Sequence, residues 1–325
     1  MSIQRVRAGV VGVGSMGRNH VRVLRELPEA NLVGVADADA DRAADVAEKY
    51  GVPALDVATL LARVDAVVVA VPTPFHAELT EQAIDAGVNV LVEKPFVAER
   101  SEGERLIERA EDAGVALQVG HVERFNPGVE TLRDVVGDRD LIAVDARRVG
   151  PPPDRDIEDS AVLDLMIHDI DVLLSIVDSE VETVSAVGAR DNRHVTATFG
   201  FADGTMASLT ASRVTQQKVR ELSVTADDCR VNVDYTSQHV EIHRHSLPEY
   251  VETDGDVRYR QESVVEHPTV QTGEPLKREL SSFLHAARTG STPEVTGADG
   301  LRVLDIAKRV DELAAANDEQ EVTLQ

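Results

Sequence analysis

The stretch "VRAGVVGVGSMG", residues 6–17, decides how this chain begins to fold. Its first half is apolar and β-branched, as suits a strand buried on both faces. Its second half sets Gly12, Gly14 and Gly17 in the order G-x-G-x-x-G, and "RNHVRVLREL" (18–27) follows with helical spacing. A strand, a glycine turn and a helix in that order suit a pyrophosphate. The glycines let the backbone come close, and the amides and dipole of the helix N-terminus favour an anion. Ser15 and Met16 lie inside the turn and belong to the same expected cradle. Asp37 closes the next strand-like run, "NLVGVAD" (31–37), 20 residues after Gly17. A carboxylate there accepts the adenosine ribose hydroxyls and repels a 2′-phosphate, so NAD is expected rather than NADP.

Outward from this unit the alternation continues. A helix is expected over 39–50, then strands at "DAVVVAVP" (65–72), "NVLVEKP" (89–95) and "VALQVG" (115–120), with helices at 75–86 and 99–113 between them. That order implies a parallel sheet with helices on both faces, a Rossmann-type NAD-binding domain over residues 1–121. The pattern then changes. A helix (126–136), a strand (139–149) and the loop "GPPPDRDIEDS" (150–160) precede a helix holding "LDLMIHDID" (163–171). Strand-like runs follow at 181–190, 194–201, 204–212, 219–226 and 239–244, and helices at 275–289 and 297–315. An α+β domain with a large, open, mostly antiparallel sheet is expected over 122–325, its helix 297–315 able to pack back on the first domain. The polar stretch 245–275 shows no pattern and is assigned no structure. Few helices remain to cover that sheet, so its free face is expected to meet another subunit in a homodimer or homotetramer.

A chain of 325 residues suits two domains. No apolar run approaches the roughly 18 residues that span a bilayer. The N-terminus shows no signal-peptide pattern, and Cys229 has no second cysteine to pair with, so a cytoplasmic protein is expected. The formal net charge is −25, and the only lysines are Lys49, Lys94, Lys218, Lys277 and Lys308. Acid excess with scarce lysine and few aromatics suggests a halophilic protein kept soluble in strong salt, and it argues against a nucleic-acid partner.

In an open parallel sheet the ligand lies beyond the carboxyl ends of the strands. Thr73 and His76 follow one such end; Glu93, Lys94 and Pro95 follow the next. Lys94 stands out because the chain otherwise avoids lysine. Asp164 and His168 are four apart and share one helical face. Asp169 is turned about 100° away and reads as a structural ion-pair partner or a solvent-facing residue. Arg124 and Asn126 open the expected second domain, and Arg147 and Arg148 end a strand. Guanidinium groups suit a diphosphate, so Arg124, Asn126 and Arg148 join Asp164 and His168 as candidate substrate contacts. The lone cysteine and scattered histidines form no recognisable ligand set, so no metal is expected. A hydrolase nucleophile elbow is also missing.

"GVGSMG", "VPTPFHAELTEQAIDAGVNVLVEKP" (71–95) and the Asp164/His168 pair together resemble the glucose–fructose oxidoreductase and inositol dehydrogenase family, over nearly the whole chain. Within it, "QVGHVERFNP" (118–127), "ARRVGP" (146–151) and "LDLMIHDID" are most similar to the UDP-N-acetylglucosamine 3-dehydrogenases. The resemblance implies NAD-dependent oxidation of a secondary sugar hydroxyl to a ketone. It places the catalytic roles on Lys94, Asp164 and His168, and it implies a cis Lys94–Pro95 bond. The expected substrate is a nucleotide sugar, oxidised at C3 of UDP-N-acetylglucosamine. A dehydrogenase of a free polyol such as inositol and a non-catalytic dinucleotide-binding regulator are the alternatives. In such a reaction His168 supplies a near-neutral base, and Lys94 stabilises developing alkoxide charge. Which of the two takes the proton stays open at the level of sequence.

Overall fold

The computed structural model describes residues 5–152, 159–245, 249–253, 256–260 and 262–318, which form two compact units. The first opens with strand β1 (Val6–Val11), helix α1 (Ser15–Glu26), β2 (Ala30–Ala36), α2 (Ala40–Tyr50) and the short α3 (Val57–Leu61). It continues through β3 (Ala66–Val69), α4 (His76–Asp85), β4 (Asn89–Glu93), α5 (Arg100–Ala113) and β5 (Leu117–Gly120). The five strands make an all-parallel sheet in the order β2-β1-β3-β4-β5. Alternate residues of each strand feed opposite cores. Val67, Val69, Val90 and Val92 join Ile84 of α4 and Leu106 of α5 on one face. Val10, Val68 and Leu91 join Val21 and Leu24 of α1 on the other. This two-sided burial explains why the strands read as unbroken valine runs. The helix α3 has no counterpart in the sequence reading; Asp56 caps its N-terminus, and Leu60 and Leu61 bury its one turn.

The second unit begins with α6 (Pro127–Val136) and β6 (Leu141–Val149). A π-helical turn, Val162–Met166, runs into α7 (Ile167–Ile176). Strands β7 (Val181–Ala189), β8 (His194–Phe201), β9 (Met206–Ser212), β10 (Val219–Ala226), β11 (Arg230–Asp234) and β12 (His239–His245) follow. Then come β13 (Glu249–Thr253), β14 (Asp256–Arg260) and β15 (Ser263–Glu266). Eight of these strands form one sheet in the order β15-β12-β11-β10-β6-β9-β8-β7, while β13 and β14 pair apart. All its neighbours are antiparallel except β6 and β9. Helices α6 and α7 pack on the face carrying Val144, Leu209, Leu222, Val233 and Ile242. The opposite face carries mostly polar side chains, with Thr196 bonded to Thr210 at 3.1 Å and Ser223 donating to Asn232 at 2.8 Å, beside the exposed Val187, Met206 and Val265.

Two expectations need correction. Strand β11 and the strands within 245–275 were not foreseen. "RVNVD" offers only Val231 and Val233 as alternating buried residues, and it becomes a strand by lying between β10 and β12. The chain also returns to the first unit earlier than the expected packing back of helix 297–315. Helix α8 (Pro275–Thr289) and the start of α9 (Gly297–Asp318) belong to the first unit, which takes back Gly273–Asp305. Leu280 and Phe283 of α8 complete the core beside α1, and Leu301 of α9 packs with Leu106 of α5. Among the described residues, no helix is long and apolar enough to cross a membrane. Most of the proline-rich loop, 153–158, lies outside the described residues.

Candidate active site

The glycine turn follows β1 where the strand order reverses, with β2 on one side and β3 on the other. Gly12 has φ +87°, and a Cβ there would lie 2.5 Å from the Ala70 carbonyl oxygen. A Cβ on Gly17 would lie 1.8 Å from the Gly12 carbonyl oxygen. Both positions therefore exclude any side chain, and the turn is closed tightly enough to present its backbone to a ligand. Gly14 faces open space, and α1 begins at Ser15 with no acid in its first turn. Asp37, just past β2, accepts the Val13 N–H at 2.7 Å and the Asp39 N–H at 2.9 Å. Each carboxylate oxygen keeps a lone pair for a ribose hydroxyl. Arg42, a nearby cation that could favour a 2′-phosphate, is turned to Asp39 at 2.9 Å and lies 3.8 Å from Asp37. The donor set fits a dinucleotide without a 2′-phosphate.

At the end of β4, Glu93 accepts a 2.6 Å hydrogen bond from His20 Nε2, inside α1. Both are buried. Burial pushes the Glu93 carboxyl up, but the His20 hydrogen bond and charge, with the Lys94 ammonium, hold it below the usual carboxylate range. Glu93 Oε2 also accepts the Lys94 backbone N–H at 3.3 Å. Glu93 is thus a brace between α1 and the lysine, where the sequence suggested a cofactor contact. Lys94 is half-buried, and its bond to Pro95 is cis. Thr73, in the single turn Thr73–Phe75 after β3, is likewise half-buried. His76 is a correction. Its ring is 1% exposed, and each nitrogen lies 2.8 Å from a main-chain carbonyl, of Pro95 and of Val71. With both nitrogens engaged it ties two strand-end loops together and leaves no ring atom for a cofactor. Arg124 falls in the first unit, not the second, buried with Nη1 3.8 Å from Asp299.

In the second unit, Asp164 sits in the π turn, where Ile167 N–H reaches back five residues to the Val162 carbonyl. Such turns concentrate at functional sites. Arg213, just beyond β9, donates to the Asp159 and Ser160 carbonyls at 2.7 and 2.9 Å and pairs with Asp164 at 3.0 Å. One buried guanidinium therefore anchors the start of the helix and pairs with Asp164, one helical turn before half-buried His168. The sequence reading missed Arg213, since arginine is common here and its partners lie about fifty residues earlier. It missed His20 too, although its place one helical turn after Gly17 was a usable signal.

Two candidate substrate residues are committed elsewhere. Arg148 makes a bidentate pair with Asp169, at 2.9 and 2.8 Å, and its guanidinium lies 4.8 Å from the centre of the Tyr235 ring. Both partners are buried, so the pair is structural, and Asp169 is the ion-pair partner rather than solvent-facing. Asn126 caps α6 by accepting the Gly128 N–H at 3.0 Å, and its amide donates to the Tyr235 carbonyl at 3.1 Å.

Residues 6–121 match the profile described as the GFO/IDH/MocA oxidoreductase family, NAD-binding Rossmann fold, and residues 137–233 match the GFO/IDH/MocA C-terminal domain. UDP-N-acetylglucosamine 3-dehydrogenase of Acidithiobacillus ferrooxidans is 33% identical over 310 residues, 94% of this chain and 96% of that protein. A solved structure of that enzyme superposes with a TM-score of 0.87 at 32% identity, over 97% of this chain and 99% of the other. Inositol 2-dehydrogenase of Rhizobium meliloti is 26% identical over 319 residues, 93% of this chain and 94% of that protein.

Proposed function

Because the chain belongs to the GFO/IDH/MocA oxidoreductase family and is an NAD-dependent dehydrogenase, we propose that it oxidises a secondary sugar hydroxyl to a ketone, at C3 of UDP-N-acetylglucosamine. The observation that carries the substrate is the 33% identity to a UDP-N-acetylglucosamine 3-dehydrogenase along 94% of the chain. The likeness to an inositol dehydrogenase over a similar length is lower, 26%, and supports a free polyol as the second reading.

NAD, when bound, supplies the acceptor for the carbinol hydride. The chain's own residues do the rest. His168 takes the hydroxyl proton as the C–H bond breaks and the carbonyl forms, since an alcohol does not release that proton at neutral pH unaided. Lys94 donates a hydrogen bond to the same oxygen and stabilises its developing negative charge. Asp164, held by Arg213, accepts from a neighbouring sugar hydroxyl and orients the ring. Glu93 and His20 brace the lysine's backbone.

The test is a panel of UDP-sugars, free N-acetylglucosamine and inositols, with NAD in high salt, scored by NADH formation. Turnover of UDP-N-acetylglucosamine well above every free sugar is expected. Oxidation of inositol with none of the UDP-sugar would move the assignment to the second reading, and no oxidation of any would sink both.

A further inference from the structure

Strand β12 reads "HVEIHRH" (239–245), and its alternation sends Val240 and Ile242 into the core and His239, Glu241 and His243 to the polar face. Strand β15 pairs with it so that Glu266 lies opposite Ile242. Continuing that register by one residue sets His267 across from Glu241, on the same polar face, with His239 diagonal to it. The side chains meet as this geometry requires. The His239 and His267 rings stack with centroids 5.2 Å apart, and one ligating atom from each of His239, Glu241 and His267 lies within 4.8 Å of the other two. Glu241 accepts from His239 at 3.4 Å through one oxygen and from His243 at 3.4 Å through the other.

We propose that His239, Glu241 and His267 bind one divalent transition-metal ion of the zinc class on the polar face of the eight-stranded sheet. Two imidazoles and a carboxylate form a three-ligand set for tetrahedral zinc, with the fourth position left to water. Calcium and magnesium would want an all-oxygen set. With bonds of about 2.0–2.1 Å, tetrahedral ligand atoms sit about 3.4 Å apart. The ligating atoms, within 4.8 Å of one another, would draw together to that spacing on binding, and His239 and His267 are exposed. Glu241 already turns its carboxylate into this cluster, with His243 bonded at 3.4 Å to one of its oxygens. His243 then acts as the outer partner that orients the carboxylate. The bound ion would clamp β12 to the end of β15, at the edge of the sheet. An ordinary exposed carboxylate with two histidine neighbours is the competing account, and it takes up no metal. The expectation of no metal from scattered histidines overlooked this group because His267 is brought in only by strand pairing.

Chelator-treated protein is titrated with zinc chloride against a colorimetric zinc indicator, with melting temperature followed in parallel. One equivalent per chain and a raised melting temperature are expected. His239→Ala with His267→Ala should lose both effects, and Glu241→Gln gives the same reading should the double variant not fold. His243→Ala should keep the equivalent but weaken it about tenfold. No uptake by the unaltered chain, or uptake unchanged in both the double variant and Glu241→Gln, overturns the proposal. The test uses no turnover, so its outcome is independent of the substrate assignment.

Discussion

A carbinol proton needs a base of near-neutral pKa, and His168 is the side chain on α7 with that chemistry. Replacing His168 with Ala should lower turnover by about 10²–10⁴-fold. NAD affinity, measured by fluorescence titration, should stay near that of the unaltered protein; a parallel fall in both would make the residue structural. Asp37 is expected to govern cofactor choice, so Asp37→Ser should narrow the preference for NAD over NADP in paired titrations. Comparable affinity for both cofactors before substitution would remove that role. Glu93 carries a pH signature. Its folded carboxyl titrates below the unfolded value of about 4.3, so its contribution to stability is present above that pH. That contribution is lost as pH falls through the lower folded value. Denaturant melts of Glu93→Gln should show reduced stability at pH 7, with the deficit against the unaltered chain shrinking in acid below about pH 4. At this scale Lys94 was legible because lysine is rare in the chain. The brace behind it was not, because His20 and Glu93 are 73 residues apart and only the packing of α1 against the sheet joins them.

The π turn and α7 act as one element whose two faces have different duties. Asp164 and His168 were readable as a pair from their spacing, yet the turn holding Asp164 depends on Arg213, which no local pattern announces. The adjacent Asp169 faces the sheet and neutralises Arg148 in a buried pair. Removing one partner leaves the other charge buried, at a cost of about 3–5 kcal/mol. Asp169→Asn is therefore expected to lower urea stability by an amount of that order while leaving turnover of the folded protein little changed. A large fall in turnover with unaltered stability would instead place Asp169 in the chemistry. Arg148 shows why composition misled. An arginine at a strand end suits a diphosphate, but the strand's alternation sends this one inward, between Asp169 and the Tyr235 ring.

Across the whole molecule, a net charge of −25 repels itself more strongly as salt is withdrawn. The screening length grows from about 3 Å at 1 M salt to about 30 Å at 0.01 M. The melting temperature should therefore rise steadily across a potassium chloride series, and a flat response would remove the halophilic reading. Light scattering in strong salt should give a dimer or a dimer of dimers; a monomer would contradict the expected pairing of sheet faces.

Local order along the chain determined much of this protein. The valine runs, the glycine turn and Asp37 specify a parallel sheet with a dinucleotide cradle, because a strand buried on both faces and a turn too tight for side chains leave their mark within a few residues. The four-residue step from Asp164 to His168 is equally local. Tertiary structure alone decided the rest: the return of helix α8 to the first unit, strand β11, the Arg213 anchor, and the meeting of His267 with His239 and Glu241. Each depends on contacts between residues far apart in sequence, and such contacts are selected by the burial of whole faces rather than by any pattern that a short window contains.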